Sequence, residues 1–181
     1  VVKVLALDTS RKRTGIAFDG GDGFYPRCTS RGFGDPQASI GFILLQFKNF
    51  LVDLIALQRP DVIAVESPPI TGLPTSQREA RIQIGMIAIV QVICEAAGIR
   101  YTEMAVSTAR AKFVGNGRPG HNAAESKEIV RHQCEVLGWK VANTDESDAA
   151  CVWYAAKTTD PKFRLETGAL LALADAARRV A

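Results

Sequence analysis

The chain has 181 residues, of which 47% are hydrophobic and 23% charged, and its formal net charge is +3 at pH 7. This balance predicts one globular domain with a sizeable core, and it excludes a disordered chain. The weak positive charge permits nucleic-acid binding without requiring it. The four cysteines have no CxxC spacing, so neither a zinc site nor a disulfide framework is expected. The chain opens without a basic leader and its longest apolar stretch, 82–94, is short for a membrane span, so we expect a cytoplasmic protein and no membrane partner.

The first part of the chain alternates short strands with one long helix. A nearly continuous apolar run at 1–8 is typical of a buried strand. A glycine-rich turn at 20–23 closes a hairpin. Apolar residues then recur at three- and four-residue steps, which predicts a helix over 36–58. Further strands are predicted at 16–18, 24–28 and 62–66.

The second part of the chain is mostly helical. A long helix is predicted over 76–97, apolar on nearly every side and ended by Gly98. A strand at 99–104 follows it. Shorter helices are predicted at 107–114, 123–137 and 146–157, with a helix rich in alanine and leucine at 168–180. The order of elements predicts an α/β fold, a mixed sheet with helices on its faces. We expect a single domain over 1–181, with a helical extension at about 158–181.

Four carboxylates lie at the ends of these elements. Asp8 and Glu66 each end a buried strand, while Asp145 and Asp148 open a helix. A carboxylate at the tip of a buried strand is costly unless positive charge offsets it. Carboxylate oxygens suit hard cations such as Mg²⁺. The pattern therefore predicts one shared site, with two metal ions that could carry out phosphodiester hydrolysis.

Each carboxylate also has a simpler structural interpretation. Asp8 could end its strand at a turn, and Glu66 could pair with a nearby arginine. Asp145 could stand at a helix N-terminus, where acidic side chains are favourable. The joint occurrence of all four acids on these elements favours a metal site over separate structural roles.

Several segments, taken in order, carry a resemblance to a known family. They are the hairpin 4–18, the strand 60–66, the helix 80–92 and the motif Asp145-Glu146-Ser147-Asp148-Ala149-Ala150. Over about residues 2–157 they resemble the RuvC-type Holliday junction resolvases of the RNase H-like superfamily. The resemblance implies an RNase H-like mixed central sheet flanked by helices on both faces. It also implies a homodimer, dependent on Mg²⁺ or Mn²⁺, that makes paired nicks in branched DNA.

The same resemblance assigns roles to individual residues. It implies that Asp8, Glu66, Asp145 and Asp148 bind the metal ions, that Lys127 lies near the active site, and that no organic cofactor is needed. The chain departs from the family at two places. Thr9-Ser10 replaces the usual Pro-Gly, and Pro69 replaces an aromatic residue that contacts unpaired bases.

Basic residues near the loops are candidates for contacts with DNA phosphates, which position a backbone without reading its sequence. The candidates are Arg11, Lys12, Arg13, Arg78, Arg81, Arg110, Lys112, Arg118, Lys127 and Arg131. The helix 76–97 carries more apolar surface than its own sheet requires, so we expect a homodimer built partly on it. In the alternative, the helix 168–180 covers that surface within one chain.

Two other functions fit parts of the sequence. The same fold could serve an RNA-processing nuclease. The segment 5–10 also resembles the start of actin-like and sugar-kinase proteins, which include non-catalytic subunits of tRNA-modifying complexes. Such a subunit would have no use for Glu66 together with the Asp145 and Asp148 pair. We also find no second phosphate-binding glycine loop in the sequence.

Overall fold

A computed structural model describes residues 2–21, 23–68 and 76–159. Within these residues, a mixed sheet is formed by β1 (Val4–Asp8), β2 (Thr14–Asp19), β3 (Pro26–Arg31), β4 (Val62–Glu66) and β5 (Arg100–Met104). The strand order is β3-β2-β1-β4-β5. β1 is antiparallel to β2 and parallel to β4, which is parallel to β5. The carboxyl ends of β1, β4 and β5 therefore meet at one edge of the sheet.

Helices cover both faces of the sheet. They are α1 (Ile40–Gln58), α2 (Gln77–Ala97), α3 (Val106–Val114), α4 (Ala123–Val136) and α5 (Thr144–Lys157). Serine side chains cap α1 and α2, since Ser39 and Ser76 each accept a hydrogen bond from a backbone N–H of the first turn. Gly98 ends α2 in the left-handed conformation, with φ of 65°. The predicted α/β fold with helices on both faces is confirmed.

The alternation of side chains along β1 separates two cores. Leu5 and Leu7 pack with α1 and α2 on one face, while Val4 and Ala6 pack with α5 on the other. β4 follows the same alternation. Because successive side chains of a strand point to opposite faces, the residues that end β1 and β4 face α5. α5 itself is buried along most of its length.

Several boundaries differ from the sequence prediction, and the starts of β3 and α1 have an identifiable cause. β3 begins at Pro26, not at 24, because the Tyr25 ring folds over Gly20 and lengthens the turn. A Cβ atom at Gly20 would lie 2.3 Å from that ring. Proline lacks an N–H and suits the first position of an edge strand. α1 begins at Ile40, where Ser39 caps it, and not at 36.

The outer faces of α1 and α2 are apolar and exposed. The apolar surface of α2 exceeds what the sheet covers in the described protein, as the sequence predicted, and the homodimer contact expected there stays a prediction. Ile84 is 56% and Val92 68% exposed on α2, while Leu45 is 51% and Val52 44% exposed on α1. By length and composition alone, both helices could cross a membrane. Here each packs one apolar face on the sheet, as core helices of globular proteins do. Pro69 and the predicted helix 168–180 lie outside the described residues.

Candidate active site

The four predicted carboxylates meet at the carboxyl edge of the sheet. Leu7 pairs with Val65 in the parallel ladder, so Asp8 and Glu66, the next residues, end neighbouring strands side by side. Both continue the alternation that faces α5. Asp145 lies in the first turn of α5 and Asp148 at the start of the next, three residues apart and therefore on one face of the helix.

A close helix-to-strand approach brings α5 to that edge. Gly15 on β2 pairs with Asp8, and the first turn of α5 passes directly over it. A Cβ atom at Gly15 would lie 1.9 Å from the carbonyl oxygen of Asp145, so only glycine fits there. Asn143 caps the helix, since its Oδ1 accepts from the backbone N–H groups of Asp145 at 3.1 Å and Glu146 at 3.0 Å. The sequence predicted neither the close contact at Gly15 nor the Asn143 cap.

Three cationic side chains from separate elements surround the α5 carboxylates. Lys127 Nζ, on α4, lies 3.0 Å from Asp148 Oδ2 and 3.6 Å from Asp145 Oδ1. Arg110 Nη2, on α3, lies 3.3 Å from Asp148 Oδ1. Arg13 Nε, in the turn after β1, lies 3.9 Å from Asp145 Oδ2. Lys127 and Arg110 thus belong to the carboxylate cluster, whereas the sequence suggested only a phosphate contact for Arg110.

Burial and neighbouring charges shift the pKa values of the groups in the site. Burial, together with the charges of Asp148 and Asp145, raises the pKa of Asp8 to about 7, although Lys127 and Arg110 act in the opposite direction. Burial, then Asp8 and Asp148, raises the pKa of Glu66 well above its usual range. Burial alone would lower the pKa of Lys127, but the neighbouring carboxylates outweigh it, so the pKa is raised. Asp8 and Glu66 therefore hold their protons more readily than free carboxyl groups do.

The carboxylates match the donors that Mg²⁺ and Mn²⁺ prefer, although their present arrangement is not a closed ligand set. Within the described ranges, no three His, Cys, Asp or Glu side chains form a group that could hold an ion. Two of the acids are instead directed at Lys127 and Arg110. Burial and, after it, repulsion from neighbouring carboxylates raise the pKa values of Asp8 and Glu66, and a bound divalent cation would favour their ionised forms. The donor chemistry of the four carboxylates fits such an ion, which would compete with Lys127 and Arg110 for Asp148.

A small cavity beside Asp145 carries basic side chains. It has a volume of about 240 Å³ and is lined by Ser10, Lys12, Arg13 and Asp145. The turn that presents them is braced by its own side chains. Ser10 Oγ donates to the Arg13 carbonyl at 2.8 Å, and Thr14 Oγ1 donates to the Ser10 carbonyl at 2.7 Å. Both basic residues are exposed and lie next to the carboxylate cluster.

Some of the other predicted phosphate-binding residues have partners within the protein, and the rest are exposed to solvent. Arg11 pairs with Glu79 at 2.9 Å, and Arg78 donates to the Ala38 carbonyl. Arg131 pairs with Glu128 and Glu135, two acids of its own helix. Lys112 is exposed, with its Nζ 3.3 Å from the Ala155 carbonyl, and Arg81 and Arg118 are also exposed. The partnered side chains are less available to DNA.

A larger cavity, of about 390 Å³, lies at the opposite edge of the sheet, where β1 begins. Its carboxylate, Asp19, has partners within the protein. Asp19 Oδ1 accepts from Val4 N at 3.1 Å and from Trp153 Nε1 at 2.8 Å. Asp19 Oδ2 pairs with Lys157 Nζ at 2.6 Å. These contacts tie the end of α5 to the sheet, which is a structural role.

Neither a protein-family model nor a curated protein sequence matches the chain. Solved structures do match it. Thermus thermophilus RuvC has a TM-score of 0.64 at 19% identity, covering 92% of this chain and 96% of that one. The chain has the RuvC fold. The same enzyme in complex with a Holliday junction substrate has a TM-score of 0.64 at 15% identity, covering 93% and 97%.

More distant structures share this RuvC fold. The yeast mitochondrial Holliday junction resolvase has a TM-score of 0.57 at 12% identity, covering 84% of this chain and 76% of that one. Fowlpox virus resolvase with Holliday junction DNA has a TM-score of 0.53 at 7% identity, covering 86% and 98%. At such identities the likeness establishes the fold, and the predicted RNase H-like architecture is confirmed.

Proposed function

We propose that the protein is a metal-dependent endonuclease that cleaves four-way DNA junctions. The observation that carries the proposal is the meeting of Asp8, Glu66, Asp145 and Asp148 at one edge of a RuvC fold. Two of the similar structures are complexes with Holliday junction DNA, which favours the same class of substrate here.

The four carboxylates would hold Mg²⁺ or Mn²⁺, with two ions in the complete site. Bound divalent ions supply an activated water and stabilise the leaving oxygen of the phosphodiester. Lys127 keeps its proton, because the surrounding acids raise its pKa, and it can donate to a phosphate oxygen as negative charge develops there. Arg110 orients Asp148, and its buried Nε has no hydrogen-bond partner among the described residues.

The exposed basic residues near the site would position the DNA backbone. Lys12 and Arg13 line the cavity beside Asp145, so they can contact the phosphate next to the one that is cut. Arg81, Lys112 and Arg118 extend the basic surface beyond the cavity. Contacts of this kind recognise shape and give a strong dependence on salt.

The exposed apolar faces of α1 and α2 would form the contact in a homodimer. Ile84 and Val92 on α2, with Leu45 and Val52 on α1, present an apolar surface of the kind that marks protein interfaces. A two-fold dimer is the commonest arrangement of identical chains. It would place one carboxylate site on each of two equivalent strands of a junction.

A comparison of substrates tests the proposal. The purified protein with Mg²⁺ is given labelled four-way, three-way, duplex and single-stranded DNA, and structured RNA, with Asp148→Asn as the control. We expect the four-way junction to be cut fastest, and the variant to bind it without cutting. Preferred cleavage of structured RNA would favour the RNA-processing alternative. Nucleotide binding without any cleavage would favour the actin-like alternative.

A further inference from the structure

Glu146 is a buried acid between the two aspartates of α5, and it has no role in the proposed chemistry. Its side chain is only 6% exposed. It forms no ion pair with Lys, Arg or His within the described residues, whereas its neighbours Asp145 and Asp148 both do. Burying an unpaired carboxylate is costly, so neutral donors must hold it.

Three neutral donors satisfy the Glu146 carboxylate. Oε1 accepts from Ser30 Oγ on β3 at 2.8 Å and from Asn143 Nδ2 at 3.1 Å. Oε2 accepts from the backbone N–H of Ala142 at 2.8 Å. Asn143 Nδ2 also donates to Ser30 Oγ at 3.0 Å, and its Oδ1 caps α5. The bonds join β3, the loop before α5 and the first turn of α5 into one network.

The network lies on the same row of the sheet as the carboxylate site. Asp8 pairs with Gly15, and Gly15 pairs with Ser30, so the three residues are lateral neighbours on β1, β2 and β3. With strands ~4.8 Å apart, this row spans roughly 10 Å. The first turn of α5 crosses it, with the Asp145 carbonyl over Gly15 and Glu146 on Ser30. The hydrogen bond between Ser30 and Glu146, together with the packing of the Asp145 carbonyl on Gly15, sets the distance between this turn and the sheet.

We infer that Glu146, held by Ser30, is a positioning residue for the metal site. It anchors the first turn of α5 to β3, so that Asp145 and Asp148 reach Asp8 and Glu66. The inference rests on the proposed function, because it concerns the same carboxylates. Partners of this kind, which hold metal-binding side chains without touching the ion, commonly tune the affinity for the metal.

The test is Mn²⁺ binding to the folded, DNA-free protein, measured by titration calorimetry. For Glu146→Ala we expect Mn²⁺ affinity to fall by about 10- to 100-fold, the usual cost of losing such a partner. Ser30→Ala should weaken binding less, since two donors to Glu146 remain. Combining both changes should weaken binding no further than Glu146→Ala alone, because the two side chains act through one contact. Glu128→Ala removes an exposed acid of α4 and should leave the affinity unchanged.

Glu146→Gln separates hydrogen bonding from charge. Its amide oxygen can still accept from Ser30 and Asn143, so part of the affinity should return. An affinity as low as that of Glu146→Ala would assign the effect to charge and overturn the positioning role. If Glu146→Ala does not fold, as judged by circular dichroism, Ser30→Ala decides the question, and wild-type Mn²⁺ affinity in that variant overturns the inference.

The aspartate variants distinguish failure of this inference from failure of the proposed function. If Asp145→Asn loses Mn²⁺ affinity while Glu146→Ala keeps it, the carboxylate site stands and the positioning role is wrong. A lower melting temperature of Glu146→Ala with unchanged Mn²⁺ affinity has the same meaning. If Asp145→Asn and Asp148→Asn both bind Mn²⁺ like the wild type, the proposed metal site itself is wrong, and the inference is overturned with it.

Discussion

Replacing Asp8 by asparagine should stabilise the metal-free protein at neutral and alkaline pH. Burial, followed by the charges of Asp148 and Asp145, raises the pKa of Asp8 from 3.8 to about 7. Between these two pH values the folded protein holds a proton that the unfolded chain has released. The stability contributed by this proton is therefore fully present below the unfolded-state pKa of 3.8. It is lost as the pH rises through the folded-state pKa of about 7.

The magnitude follows from the size of the pKa change. Each pKa unit corresponds to about 1.36 kcal/mol of unfolding free energy. About two of these units lie between pH 5 and pH 7, so the stability lost over this pH range is at most ~3 kcal/mol. Asp8 is half-buried, and its charge raises the pKa of Glu66, so the two groups do not titrate independently. We therefore expect roughly half of that bound. As the pH rises from about 5 to about 7, the free energy of unfolding of Asp8→Asn should increase by ~1.5 kcal/mol relative to that of the wild type.

The measurement is urea unfolding in EDTA from about pH 5 to about pH 8. The free energy of unfolding of Asp8→Asn, minus that of the wild type, should increase across this range. Asp53→Asn, which changes an exposed aspartate of α1, should give a flat difference. Added Mg²⁺ should then stabilise the wild type more than Asp8→Asn, because a ligand of the folded state stabilises it by mass action. A flat difference for Asp8→Asn would refute the electrostatic account of the site.

Three further predictions concern the DNA surface, the helix contact and the dimer. Changing Lys12 and Arg13 together to alanine should reduce the slope of log affinity against log salt concentration by about 2, measured by junction binding at several salt concentrations. An unchanged slope would show that neither residue contacts the DNA. Gly15→Ala should lower the free energy of unfolding by about 1–3 kcal/mol, because the added methyl group overlaps the first turn of α5. The control Gly41→Ala adds a methyl group in open space on α1 and should not be destabilising. Val92→Asp should yield folded monomers in light scattering, and a variant that remains dimeric would exclude the outer face of α2 from the contact.

The sequence predicted the strands of the site because buried parallel strands leave a simple signal. An uninterrupted apolar run ended by an acid marks both β1 and β4, and the structure places Asp8 and Glu66 as that pattern implies. The position of β3 was less predictable, because Pro26 and the Tyr25 ring set the length of the turn. Turn geometry depends on contacts that no local pattern contains.

The cations of the site could not be predicted from local patterns. Arg110 and Asp148 are 38 residues apart in sequence, and only the packing of α3 against α5 brings them together. An arginine in an amphipathic helix gives no sign of which carboxylate it meets. The apolar circumference of α2, by contrast, predicts surface beyond what its own sheet covers, and Ile84 and Val92 are exposed in the described protein.

Mapping of nicks on a four-way junction tests the central claim most directly. A junction labelled on each strand is incubated with wild-type protein or with Glu66→Gln, in Mg²⁺ or in EDTA. The account predicts paired nicks at symmetry-related positions with the wild type in Mg²⁺, and none in EDTA. It also predicts that Glu66→Gln binds the junction but leaves it uncut, since an amide is a poor ligand for a hard cation. Nicks of wild-type intensity from Glu66→Gln, or cleavage that persists in EDTA, would contradict a metal site built from these carboxylates.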